Sequence, residues 1–323
     1  MSSKPDPVAE VRSLRSQEDD AHASPELREH IEQDPPGVVH HYTSQHGLLG
    51  IVANAEIWAT SVNNLNDVRE FEHAKSVAVG LIEKRQERET DETVKRHLGY
   101  LRHAAQTAGI NICVVSWSKK PDDLSQWRAY SGASTGYSVD MSGALLRQFA
   151  AAQEFIFAPC VYCADEQARL LNSLIEADLG RNLLKEKGIV EMADRERARF
   201  EQYLIEENGG DFGYHMNRYA ALFKHNAFAS EEEWRLISRP ISVHTMRFRP
   251  GQSTIVSYFP FSLGEEEEQR AVAQPVIRLA SVHVGPCPMP ELAQSKVRFL
   301  LAKHSPALHR PDVLASNVPY RTW

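Results

Sequence analysis

Val39-His40-His41-Tyr42-Thr43-Ser44 and Ser230-Glu231-Glu232-Glu233-Trp234-Arg235-Leu236-Ile237 decide how this chain is read. The first stretch places an imidazole and a phenol at the end of a strand. The second places two carboxylates at strand spacing. Residues two apart on a strand share a face, so Glu231 and Glu233 point together while Glu232 and Trp234 point away. Two close carboxylates raise each other's proton affinity, so one can stay ionised while the other serves as hydrogen-bond partner or base. A run of three glutamates is otherwise a solvated strand entrance. Here Trp234, Leu236 and Ile237 read as core, which brings at least one carboxylate to the edge of a cleft. The expectation is that the two stretches meet across that cleft.

The chain has 323 residues, 42% of them hydrophobic, enough for one large core or two modest ones. Its formal charge of -7 gives no support to a wholly basic face for nucleic acid. No run of about 18 apolar residues suggests a membrane span. Met1 to Asp34 is polar, without the apolar centre of a secretory leader, so a cytoplasmic setting is expected. The four cysteines include one Cys160-Val161-Tyr162-Cys163 pair. A zinc site would want a second pair or two histidines, so free thiols and no metal are expected.

Residues 1–36, rich in Ser, Pro, Asp and Glu, read as a tail or a peripheral helix, and 37–323 as one domain. Strands are expected at 38–42, 56–60, 110–117, 136–140 and 154–162. Helices are expected at 47–54, 68–106 with a break near Thr90, 142–151 and 290–304. The nearly continuous apolar run Ile110 to Trp117 marks a central strand covered on both faces. The stretch from about 164 to 229 reads as a helical insertion. Further strands follow at 232–237, 244–248, 253–261 and 276–284, with 313–320 returning at an edge. The fold class is α+β, a mixed, split sheet around the cleft.

Other groups can serve the cleft. Neutral His41 can exchange a hydrogen bond with a hydroxyl, and Thr43 or Ser44 can add another; His40 is the poorer candidate. Asn66 and Asp67 have turn and cap chemistry, and their alternative role is to gate the cleft's mouth. Trp127 beside Arg128 can frame a planar ring and bind a diphosphate, or else lie in the core and pair with a carboxylate. Ser116 and Tyr130 stand nearby in sequence. The glycine-rich, P-loop, zincin and hydrolase signatures are absent.

The motifs His41-Tyr42-Thr43-Ser44, Ile57-Trp58-Ala59-Thr60, Leu65-Asn66-Asp67, Val115-Ser116-Trp117-Ser118, Leu124 to Tyr130, Glu231-x-Glu233-Trp234-Arg235 and Asn317 to Arg321 resemble the bacterial domain-of-unknown-function 2971 family. The layout in turn resembles the ADP-ribosyltransferase superfamily. That resemblance implies NAD as substrate, with His41 on the adenosine-side ribose. It implies Ser116 or a nearby aromatic beside the nicotinamide, and Glu233 on the nicotinamide ribose with Glu231 as the extra acid. Tyr130 and Tyr137 compete as the stacking ring, and Tyr42, Thr43, Asn66, Asp67, Trp127 and Arg128 complete the expected cofactor contacts. The acceptor is a protein, a nucleic acid or water, in a toxin or phage-defence setting. Two other readings stand beside it. One is a non-catalytic nucleotide-sensing or protein-interaction module. The other is a metal-dependent nucleic-acid enzyme in which Asp67 joins Glu231 and Glu233.

Overall fold

The computed structural model describes residues 24–64, 68–107, 111–131, 135–189, 212–251, 253–264, 277–304 and 310–319. The chain divides into two compact units. One unit gathers residues 1–33, 66–112 and 161–226, and the other 34–65, 113–160 and 227–323. The segment read as a helical insertion thus falls mostly in the first unit, with the helices between residues 66 and 112.

The first unit is helical. Pro25–Ile31, Val68–Arg88, Glu92–Thr107 and Ala164–Ile189 are its main helices. The break expected near Thr90 falls between the second and third of these. Ser24 caps the first, its hydroxyl accepting from the Leu27 amide at 3.3 Å. His97 and Asp178, both fully buried, join two helices through a 2.8 Å contact.

Among the described residues the second unit holds ten strands in one mixed sheet, and the α+β class follows. They are β1 (Val38–Ser44), β2 (Glu56–Ser61), β3 (Cys113–Ser118), β4 (Gly136–Ser142) and β5 (Ile156–Pro159). β6 (Glu233–Ile237), β7 (Arg247–Pro250), β8 (Ile255–Ser262), β9 (Ser281–Val284) and β10 (Asp312–Ala315) complete them. The order is β10-β9-β4-β1-β3-β2-β8-β7, with β6 on β3 and β5 on β6. All pairs are antiparallel except β9 with β10.

Two strands end on a serine that starts the next helix. Ser44 closes β1 and caps Gln45–Asn54; Ser142 closes β4 and caps Gly143–Ala152. Both helices cover one face of the sheet. Leu48, Ile51, Val52, Leu146 and Phe149 pack there with Val39, Val115, Trp117, Val139 and Val282. The expected strands 154–162, 244–248 and 276–284 prove shorter or shifted. Only Ile156–Pro159, Arg247–Pro250 and Ser281–Val284 find ladder partners.

The architecture turns on β3. β6 pairs with it from Val114 to Ser118. β2 reaches it only at Cys113 and Val114, and β1 only at Ser118. β1 and β2 therefore share one edge, and the sheet opens between their contacts, at Val115 to Trp117. Past the end of β9, Gly285 leaves no room for a side chain. A Cβ there would lie 2.9 Å from both the Gly136 carbonyl and the Trp127 ring. Gly285→Ala is expected to cost about 1–3 kcal/mol through this overpacking, read as a lower urea midpoint with an unchanged slope.

Candidate functional site

A cavity of about 360 Å³ lies at the opening. His40, His41 and Tyr42 of β1 line it, with Ser116, Trp117 and Ser118 of β3. Gln126 and Tyr130 of helix Leu124–Tyr130 close another wall, and Glu231 and Glu233 a third. The imidazole and carboxylate stretches read from the sequence thus reach one cavity.

His41 occupies the gap in the β3 ladder. Its Nδ1 lies 2.9 Å from the Ser116 carbonyl. A carbonyl only accepts, so Nδ1 carries the hydrogen, and in the neutral ring Nε2 is the acceptor. No protein group among the described residues is bonded to Nε2. Burial lowers the His41 pKa below 6.5, and the bond to Ser116 offsets part of that shift. The ring leans on Trp117 with centroids 5.4 Å apart. The Trp117 indole N–H is buried and has no hydrogen-bond partner among the described residues.

Glu233 opens β6 and is buried at 4% exposure. Its Oε1 accepts from Arg235 Nε at 2.6 Å, and the two side chains share a face, two residues apart. The pair is charge-assisted and orients the carboxylate. Glu231 reaches the cavity by another route than the sequence suggests. It ends a 3-10 turn, Asn226–Glu231, rather than sitting on the strand. Glu232 between them has φ 44°, in the left-handed region, and is exposed. The expected continuous strand spacing of Glu231 and Glu233 is therefore corrected: a left-handed kink, not the pleat, brings both to one side. The kink is held where the Lys119 amide donates to the Glu232 carbonyl at 3.1 Å. The Ser118 hydroxyl donates to the Glu231 carbonyl at 2.7 Å.

Tyr42 lines the cavity with its hydroxyl already committed. It donates to the Lys120 carbonyl at 2.7 Å and accepts from the Asp123 amide at 3.0 Å. Burial pushes its pKa up. Trp127, expected to frame a ligand, is instead 1% exposed. It packs edge-on to Tyr42 and donates from Nε1 to Asp122 at 2.8 Å. Tyr137 is buried in the hydrophobic core on the helix-covered face. Of the two tyrosines that compete in sequence, Tyr130 is the one at the cavity. Arg128 is exposed, and neither it nor Thr43 is among the lining residues. Asn66 and Asp67 lie outside the described residues. Gln126 stands in the Ser125 to Tyr130 group read from the sequence, and His40 is there set behind His41; both line the cavity. Trp117 and Ser118 are not singled out by the sequence, although they sit inside the Val115 to Ser118 motif of the family resemblance, which was the available signal.

The family described as "Protein of unknown function (DUF2971)" matches residues 126–236 of this chain. That stretch holds the Gln126 to Tyr130 and Glu233 to Arg235 motifs, and the family resemblance read from the sequence is supported there. No curated protein and no solved structure matches the chain. No helix among the described residues is long and apolar enough to cross a membrane.

The lowered His41 pKa has a sign that can be checked. The unfolded chain takes up the proton first as pH falls below 6.5, so this group's contribution to stability is present above that pH and lost below it. His41→Asn is expected to narrow its stability gap to the parent between about pH 7.5 and 5.5, measured by urea unfolding at each pH.

Proposed function

We infer that this cavity binds the nicotinamide–ribose end of NAD and that the protein is an NAD-consuming transferase or glycohydrolase. The observation that carries the reading is that His41 and Glu233, from opposite ends of the folded sequence, line one cavity at an opening in the sheet. The cavity is open to solvent at its mouth, and the adenosine portion would extend outside it.

The residues divide the work. Tyr130, 43% exposed, offers a ring to stack on the pyridine. The Trp117 indole N–H offers a donor that no group among the described residues uses. His41 Nε2 accepts from a ribose hydroxyl. Breaking the bond between nicotinamide N1 and ribose C1′ leaves positive charge on the sugar, and the electron pair departs with the nicotinamide. Glu233, held by Arg235, stabilises that charge electrostatically. The sugar is then taken by water, which loses one proton, or by a nucleophile on a protein or nucleic acid. Glu231 stands at the same cavity as the group to receive that proton.

The test follows free nicotinamide by chromatography during incubation with NAD, with and without cell lysate. Glu233→Gln is expected to lower the rate by about 100-fold or more, the scale of one preorganised electrostatic group. Because Glu233 also compensates buried Arg235, the variant's circular dichroism and urea midpoint are compared with the parent. Absence of release under both conditions by a folded parent protein rejects the enzymatic reading. NAD binding without turnover would then assign a nucleotide sensor.

A further inference from the structure

On the strands beside the cavity lies a second cluster, made by three elements that the sequence reading did not connect. β4 pairs with β1 through His40↔Asp140 and with β9 through Asp140↔Ser281 and Ser138↔His283. The pleat puts these side chains on the same face of three adjacent strands. Asp140 is fully buried. Its Oδ1 meets His40 Nδ1 at 2.8 Å and the Ser138 hydroxyl at 2.6 Å. Its Oδ2 meets His283 Nδ1 at 2.7 Å and the Ser281 hydroxyl at 2.6 Å.

Among the described residues no lysine or arginine pairs with Asp140; its partners are the two imidazoles and the two serine hydroxyls. A buried carboxylate is costly unless it is paired or coordinates a metal ion.

We propose that His40, Asp140 and His283 bind one divalent transition-metal ion of the zinc type. One ligand atom from each of the three lies within 4.8 Å of the others. Two imidazole nitrogens and a carboxylate are the donor set of zinc and its first-row neighbours, whereas calcium and magnesium take oxygen ligands. Without the ion, each Nδ1 carries a hydrogen and donates to Asp140. With it, each Nδ1 is a ligand and the ring's hydrogen moves to Nε2, with no change in the charge of a neutral ring. Ser138 and Ser281 already donate to the two carboxylate oxygens, as outer partners of a metal-bound carboxylate do. His40 belongs both to this cluster and to the cavity lining, so occupancy bears on the site. The inference does not rest on NAD as substrate.

The experiment uses the full chain, stripped with chelator and dialysed, then titrated with zinc chloride by calorimetry and checked by elemental analysis. One equivalent is expected, with a thermal midpoint that rises with free zinc. The equivalent should disappear in His283→Asn, which keeps a side-chain amide to donate to Asp140, and persist in Cys163→Ser. A readout on the parent protein keeps the test independent of variant folding. The histidine nitrogen NMR shifts should pass from Nδ1-protonated to Nε2-protonated rings on adding zinc. Uptake below about a tenth of an equivalent, uptake lost only in Cys163→Ser, or histidine shifts unmoved by zinc would each overturn the site.

Discussion

An edge of β3 that two strands share, and that neither can fill, is the constraint behind the rest of this unit. β1 and β2 both run antiparallel to β3, and β6 already occupies its length from Val114 to Ser118. Between the contacts of β1 and β2 that edge of β3 has no ladder partner among the described residues. A buried carbonyl left there would cost about 1–3 kcal/mol. The His41 imidazole takes the place of the missing strand by donating to the Ser116 carbonyl. That one bond fixes the ring's tautomer, leaves Nε2 as an acceptor and props open the cavity.

The polar groups nearby are arranged with the same economy. Tyr42 spends its hydroxyl on the turn after β3, and Trp127 spends its indole on Asp122, so both serve as frame. Trp117 keeps a buried N–H without a partner among the described residues. Glu233 pairs with Arg235, and Asp140, among the described residues, with two imidazoles. At the cavity itself, the Trp117 N–H and His41 Nε2 keep hydrogen-bonding capacity that a ligand can use.

Much of the local architecture was legible from the chain alone. Apolar runs marked β1, β2, β3 and β4, while the serine caps that start the helices after β1 and β4 became visible only in the structure. The strands that were misplaced, β5, β7 and β9, are only four residues long in the structure. Their limits are set by where a neighbour stops pairing, which no local pattern records. The same holds for Glu231. Its approach to Glu233 was expected from strand spacing, but depends on a left-handed Glu232 braced by Lys119 and Ser118. Trp127 was ambiguous because an indole beside an arginine suits a ligand platform and a core equally. The partner that decides it, Tyr42, lies on another strand.

The sequence by itself determined most of the strands and helices and marked an imidazole near the front and carboxylates in the last third as candidates to share one cavity. These follow from local periodicity, side-chain branching and short-range hydrogen bonds. Only the tertiary structure decided that His41 fills a gap in the sheet, that Tyr130 rather than Tyr137 faces the cavity, and that His40, Asp140 and His283 converge. Those outcomes depend on strand order and register, which arise from pairing between segments remote in sequence and leave no trace in the residues' own neighbours.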